Sequence, residues 1–355
     1  MIQIKGASFI ERCLAQQIPF LGCMRPSSAQ VEWFTLNTLT VDQAQLTLSK
    51  GSEVFVVQPY DRSQAALNFS LTPATEAAID QLDDTDMESL AAEYTISAEQ
   101  AEAYDRMLQR AIGQINQGEL DKVVLSLRLA LANQSEIDLN ICNLFTPETK
   151  DSFRYIFSLS EGVVWVGDTP ETLLTRQHNR IQTVALAGTR RRADLKHDDF
   201  TSKEFEEQGF IVEELKQRLA PFVERVQLSD RQRVSAQNLV HLKTTLEGTL
   251  AEEFSDEELL AALHPTAAVC GFPREKALAF ISILESHDRE LYAGYMGFRS
   301  AAKSTYFVNL RCARIDQLTL NLFVGAGITA QSVSKKEIDE IQSKTATIMR
   351  LIAFK

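Results

Sequence analysis

Residues 122–132, KVVLSLRLALA, alternate with a period of two. Val123, Leu125, Leu127, Leu129 and Leu131 fall on one side, and Lys122, Val124, Ser126 and Arg128 on the other. Successive side chains of an extended chain point to opposite faces, so this pattern predicts a strand with one apolar face. Just upstream the period is helical. Ser97 and Gln100 have capping-box spacing, Tyr104, Met107, Leu108, Ala111, Ile112 and Ile115 follow at helical intervals, and Gly118 ends the run. Further strand-like runs follow downstream: SFRYIFSL, GVVWVGD, RIQTVALAG, VNLRCARI and LTLNLFVGAG. Two more, VEWFTLNTL and SEVFVVQPY, lie in the first 75 residues. Helical patterns occupy 200–220, 255–263, 273–286 and 332–353. Strands outnumber a simple β-α alternation, which predicts an α+β fold of large, mainly antiparallel sheets covered by helices.

The totals narrow the function. The 355 residues carry 36 Lys and Arg against 48 Asp and Glu, a net charge of −12. That disfavours nucleic-acid and anionic-membrane partners, which need a basic surface. An anionic ligand would then need a locally basic site or a metal. Lys5, Glu11 and Arg12 interrupt the place where a signal peptide needs an apolar core. No run approaches the roughly 20 apolar residues of a membrane span. Five scattered cysteines without a C-x-x-C spacing read as reduced thiols of a cytoplasmic protein. The acidic stretch EAAIDQLDDTDMESLAAEY, residues 76–94, reads as a solvated helical connector.

Two helical patterns place carboxylates beside their apolar stripes. In the first, Phe205, Ile211, Val212, Leu215 and Leu219 form the stripe, with Glu204 inside it and Glu207 on its edge. In the last, Ile338, Ile341, Thr345, Ile348, Met349 and Ile352 form the stripe, with Glu337, Glu340 and Lys344 on one flank. A carboxylate facing a core is costly without compensation. Neighbouring lysines would supply it. So would a hard divalent cation, and Mg²⁺ fits a set of oxygen ligands. No two histidines have the spacing of zinc ligands.

Several single residues carry possible chemistry. Glu171 follows Pro170 on a turn between strands, where a carboxyl group can keep a raised pKa and donate a proton. Lys122 opens the first strand on its polar face. Gly188 and Thr189 end a strand. Gly325 and Gly327 precede a helix and read as a turn whose N–H groups face a carboxylate. Arg311, expected within the strand VNLRCARI, can grip a carboxylate through two N–H groups. His241 is either a structural histidine or a ligand contact. The stretch LHPTAAVCGFP, residues 263–273, is too broken for a helix and too apolar for an idle loop. Its Ala267 and Ala268 suggest that something passes close to the backbone.

Read in order, DKVVLS, PETLL, LAGTRR, SKEFEE, HLKTTLEG, LHPTAAVCGFP, DRELYAGYMGF, VNLRCARI and GAGITAQSVSKKEIDEIQSK resemble the chorismate-utilising enzyme family over roughly 97–355. The resemblance implies a layered α+β sandwich with a central chorismate and Mg²⁺ site. It implies a catalytic region at 96–355 and a variable part at 1–95 packed on the same core. It makes Glu207 and Glu340 direct Mg²⁺ ligands and Glu204 and Glu337 their partners through water. Arg311 and Tyr292 would bind the enolpyruvyl carboxylate. Gly325, Gly327 and Lys344 would line the anionic end, and Gly188, Thr189 and His241 the ring pocket. Where the family often has His after the metal-site glutamate, this chain has Gln208, which is expected to alter metal affinity rather than the reaction.

Branch positions refine the expectation. Ammonia-adding members resembling this chain carry Gln at the place of Lys122 and need a glutamine amidotransferase partner. Lysine implies water as nucleophile, with Lys122 as base, Glu171 as acid and no amidotransferase. Ala187 stands where the aminodeoxychorismate branch often has a nucleophilic lysine. Ala268 stands where salicylate- and anthranilate-forming members tend to have Thr, which favours stopping at isochorismate for use in menaquinone, siderophore or salicylate synthesis. A salicylate-forming enzyme and a catalytically silent chorismate-binding protein are the rival readings. The assembly expected is a monomer or weak dimer.

Overall fold

The computed structural model describes residues 3–351 except 6–7, 75–94, 133–137, 141–143, 146–150, 161, 193–194, 196–198, 237–238 and 317–318. The acidic stretch at 76–94 and Ile352 therefore lie outside the described residues.

The strand Lys122–Ala132 belongs to a single antiparallel ribbon. In spatial order the ribbon runs from Gln232–Ala236 through Leu239–Thr249, Arg180–Arg191, Thr172–Gln177, Lys303–Val308, Tyr295–Arg299, Val54–Gln58, Leu67–Pro73, Glu32–Leu39, Phe20–Met24, Phe153–Ser160, Val163–Thr169, Cys312–Ile315, Thr319–Thr329 and Lys122–Ala132 to Gly271–Phe272. Four strands from the first 75 residues thus sit in the middle of the ribbon, while the short strand Gln3–Lys5 pairs with Asp138–Asn140 in a separate sheet.

Alternation along each strand sorts side chains into two cores. Val123, Leu125, Leu129, Leu322, Val324 and Ile328 face helices Ala98–Asn116, Arg274–Leu284 and Ser334–Met349. The opposite face of the same half-ribbon carries Tyr155, Phe157, Trp165 and Phe323, which meet Phe55, Phe298 and Tyr306 from the other half. Burying each such side chain contributes about 1.5–3 kcal/mol, so the folded-over ribbon makes a sandwich with an outer helical layer. The expected capping box is formed, with the Ser97 hydroxyl accepting from Gln100 N–H at the start of the first long helix and Gly118 at φ +76 beyond its end. The four cysteines among the described residues are buried and free, and no helix among them is long and apolar enough to cross a membrane.

Three expectations are corrected. The run 308–315 is not one strand. Lys303–Val308 pairs with Tyr295–Arg299, whereas Cys312–Ile315 pairs with Val163–Thr169 and Thr319–Thr329. Asn309–Arg311 carries the chain between the two halves, and Arg311 takes φ +48 there, an unusual conformation for a residue with a Cβ. Gly325 and Gly327 do not form a turn before a helix. They lie inside the strand Thr319–Thr329, paired with Ser126 and Val124. Phe205 does not belong to the buried stripe of helix Ser202–Leu219, since it is 38% exposed. That helix buries Glu204, Gln208 and Glu214 alongside Ile211, Leu215 and Leu219.

Candidate active site

Where the ribbon halves meet helices Ser202–Leu219 and Ser334–Met349, they form a cavity. Glu171, Thr189, Glu207, His241, Ala268, Tyr292, Arg311, Gly325, Gly327, Glu340 and Lys344 line it. Lys122 packs against Gly327 and Glu207 of this lining, and Gly188 packs against Glu204. Glu204 and Glu337 line a second cavity, which shares Thr189 and Glu340 with the first.

One wall is cationic. Arg311, buried at its kink, donates to His241 Nε2 at 2.7 Å. Because a guanidinium only donates, Nε2 is the bare ring nitrogen. Nδ1 therefore carries the proton and donates to Thr189 Oγ1, 3.1 Å away. Burial, with Arg311 and Lys344 nearby, keeps His241 neutral well below the usual imidazole range. Among the described residues no carboxylate lies within ion-pair distance of Arg311, and Asp168 and Glu171 act on its buried guanidinium only from farther away.

The acid and the lysine are both buried. Glu171, 3% exposed, sits between the strands ending at Thr169 and starting at Thr172. Burial pushes its carboxyl up to about 8, against the pull of Lys122, Lys344 and Arg311. It is therefore a neutral acid at pH 7. Lys122 is completely buried, with Nζ 3.2 Å from Glu207 Oε1. Sequence alone allowed an ordinary edge lysine, but its strand is flanked on both sides, by Thr319–Thr329 and Gly271–Phe272.

The carboxylates on the two helices converge on lysines. Glu207 meets Lys122, Glu337 meets Lys203 at 2.6 Å and Glu340 meets Lys344 at 2.7 Å. Burial pushes Glu207 up, but Lys122, Lys203 and Lys344 outweigh it and hold that carboxyl below its ordinary value. Burial, with Glu340 and Glu207 close by, pushes Glu337 up to about 7 against Lys203. Glu204 is spent locally, with Oε2 accepting from the N–H and hydroxyl of Thr201 at 2.7 and 2.6 Å and Oε1 3.8 Å from Arg190. Among the described residues no three His, Cys, Asp or Glu side chains already form a coordination shell. The donor set is nonetheless all oxygen, and Glu337 Oε2 is buried without a hydrogen-bond partner. Such a set fits a hard divalent cation that displaces the lysines.

Missing side chains make the floor. A Cβ on Gly327 would collide with the Glu207 carboxylate, and one on Gly325 would stand 2.7 Å from the Tyr292 hydroxyl. Gly188 has φ +66, and a Cβ there would lie 2.9 Å from Glu204 O. Tyr292 stacks on Phe323 at 5.7 Å. Lys344 also donates to Gly325 O at 2.6 Å. Gln208 is fully buried and donates to Thr244 Oγ1 at 2.9 Å. Sequence reasoning missed Lys203, Glu214 and Arg289. Lys203 precedes Glu204 in SKEFEE, so a search for a partner to Glu337 could have found it. Arg289, in DRELYAGYMGF, donates to Val124 O and Val269 O at 2.8 and 2.7 Å and pairs with Glu285.

Residues 7–353 match the family model described as chorismate binding enzyme. The chain belongs to the chorismate-binding enzyme family. Over 269 residues it is 31% identical to the vibriobactin-specific isochorismate synthase of Vibrio cholerae, which covers 72% of this chain and 67% of that one. Over 257 residues it is 30% identical to isochorismate synthase MenF of Haemophilus influenzae, covering 69% and 59%. The matched part thus spans about two thirds or less of these relatives' length. Two solved structures of family type share the fold. MenF of Escherichia coli, a menaquinone-specific isochorismate synthase, superposes with a TM-score of 0.75 at 23% identity over 94% of this chain and 88% of that one. Anthranilate synthase component I of Streptococcus pneumoniae gives 0.67 at 17% identity over 93% and 90%.

Proposed function

We propose that this chain is a Mg²⁺-dependent isochorismate synthase. One observation carries the reading: a buried neutral acid, Glu171, and a buried guanidinium, Arg311, face the same cavity as an acidic cluster backed by Lys122. Chorismate presents two carboxylates and a ring hydroxyl to such a site. Arg311, held by His241, binds the enolpyruvyl carboxylate with Tyr292. Lys344, Gly325 and Gly327 line the opposite anionic end, Thr189 and His241 flank the ring, and Gly188 lets the backbone approach. Glu207 and Glu340 would hold Mg²⁺, with Glu204 and Glu337 around it through water; bound there, the ion neutralises a substrate carboxylate.

With substrate bound, Lys122 acts as the base and takes a proton from water as the water oxygen bonds to C2. The ring double bonds shift and the C4–O bond breaks. Glu171 gives its proton to the departing hydroxyl. One water is consumed and one released, and solvent resets both residues. Positioned groups of this kind each contribute about 10²–10⁴-fold. Water as nucleophile dispenses with an amidotransferase subunit, and the product feeds menaquinone or siderophore/salicylate biosynthesis in the cytoplasm.

The test is incubation of the purified chain with chorismate and Mg²⁺, followed by chromatography and a lactate dehydrogenase assay for pyruvate. Isochorismate without stoichiometric pyruvate is expected. Stoichiometric pyruvate with salicylate overturns the assignment in favour of a salicylate synthase, and unaltered chorismate overturns it outright. Exhaustive chelation is expected to abolish turnover and added Mg²⁺ to restore it, while Glu340→Gln raises the Mg²⁺ concentration needed for half-maximal rate. Undiminished turnover after chelation removes the ion from the mechanism.

A further inference from the structure

We infer that Glu214, on helix Ser202–Leu219, is a positioning residue that holds the backbone of the 264–271 loop so that Ala268 forms the wall of the substrate cavity. This deepens the isochorismate synthase reading and rests on it.

The loop is gripped on both sides of Ala268. On one side Glu214 Oε2 accepts the N–H of Ala267 at 2.7 Å, and both residues are buried. On the other the Arg289 guanidinium donates to Val269 O at 2.7 Å. Ala268 and Val269, between these grips, line the cavity. The base of the loop is fixed separately. Arg274 donates to Ala262 O and His264 O at 2.9 and 3.3 Å, and His264 Nε2 donates to Ala293 O at 2.9 Å. Without Glu214, the Ala267 N–H would be the one polar grip lost immediately before Ala268.

A carboxylate is a costly way to satisfy one amide. Glu214 is 2% exposed, its Oε1 has no hydrogen-bond partner, and its nearest cation, Arg218 Nε, is 3.8 Å away. Helix packing alone would favour an apolar side chain beside Ile211 and Leu215. What the glutamate supplies in return is a strong, directional acceptor on a rigid helix, aimed at a loop with little side chain of its own.

The experiment compares the full chain with Glu214→Gln and Glu214→Met. Glutamine keeps a carbonyl acceptor at the same reach, whereas methionine keeps the volume and removes the acceptor. Amide hydrogen exchange over 263–273 is measured without substrate, alongside KM, kcat and the pyruvate-to-isochorismate ratio. Glu214→Met is expected to exchange faster in this segment alone and to raise KM for chorismate about tenfold, the scale of leaving the buried Ala267 N–H without an acceptor. Glu214→Gln should stay within about twofold of the parent on every readout. Unchanged exchange in Glu214→Met, faster exchange with unchanged KM and product ratio, or a Glu214→Gln variant as impaired as Glu214→Met, each overturns the inference. Should Glu214→Met not fold, Glu214→Ala replaces it; if neither folds, the glutamate serves stability alone and the inference falls. A parent chain that leaves chorismate unaltered overturns the functional reading instead, and the exchange data still decide whether Glu214 holds the loop.

Discussion

Glu171→Gln is expected to lower kcat by at least about 10²-fold and to erase the alkaline limb of the pH profile. Burial raises the Glu171 carboxyl to about 8. In the free enzyme it is therefore protonated through neutral pH and loses its proton as pH rises through that value. Acting as an acid, it should make kcat/KM level near pH 7 and falling above about 8. Glutamine has nearly the same shape but neither donates that proton nor titrates, so the limb should vanish along with the rate. Stability provides an independent check. The folded-state pKa is raised above the unfolded value of about 4.3, so the group favours the folded state fully below that value and progressively less as pH climbs toward about 8. Glu171→Gln should escape this decline, and its Tm should gain on the parent between those limits. An alkaline limb that persists in Glu171→Gln, or a near-normal kcat, assigns the proton to another group.

How far the sequence alone reached depended on whether the signal was local. The alternation at 122–132 and the capping box at 97–100 are decided by neighbours a few residues apart, and both are as expected. The closing of the ribbon is not of this kind. Val54–Gln58 pairs with Tyr295–Arg299, some 240 residues away, and nothing in either segment names its partner. The same limit hid the kink at Arg311, because the run 308–315 is uniformly strand-like and only the change of ladder breaks it. On helix Ser202–Leu219 the wheel placed Glu204 inward correctly and Phe205 inward wrongly. A wheel weighs apolarity, but this helix turns part of its buried face toward polar cavities and the 264–271 loop. Glu204, Gln208 and Glu214 are buried there by hydrogen bonds to Thr201, Thr244 and Ala267. Gly325 and Gly327 read locally as a turn before a helix, and their place inside a strand was not legible. What approaches Gly325 and Gly327 is Tyr292 and Glu207, each distant in sequence.

Lys122→Met should cost as much in kcat as Glu171→Gln, about 10²–10⁴-fold, with a smaller change in KM. Methionine preserves most of the buried volume, so the packing against Gly327 is kept while the amine that takes the proton is lost. The substitution also strips Glu207 of its nearest cation, 3.2 Å away. Removing one partner of a buried pair costs about 3–5 kcal/mol in general, and Glu207 retains the influence of Lys203 and Lys344 to soften this. The pH dependence separates the two consequences. Glu207 is held below its ordinary value in the folded protein, so its contribution to stability is present above the unfolded carboxylate pKa and is lost as pH falls through the folded one. The Tm deficit of Lys122→Met should therefore be largest at neutral pH and shrink in acid. The loss of kcat should remain at neutral pH and 20 °C below Tm, where the variant is fully folded. A variant that is folded under those conditions and turns over chorismate at close to the parental rate shows that Lys122 serves Glu207 alone, and the base must then be sought elsewhere around the cavity.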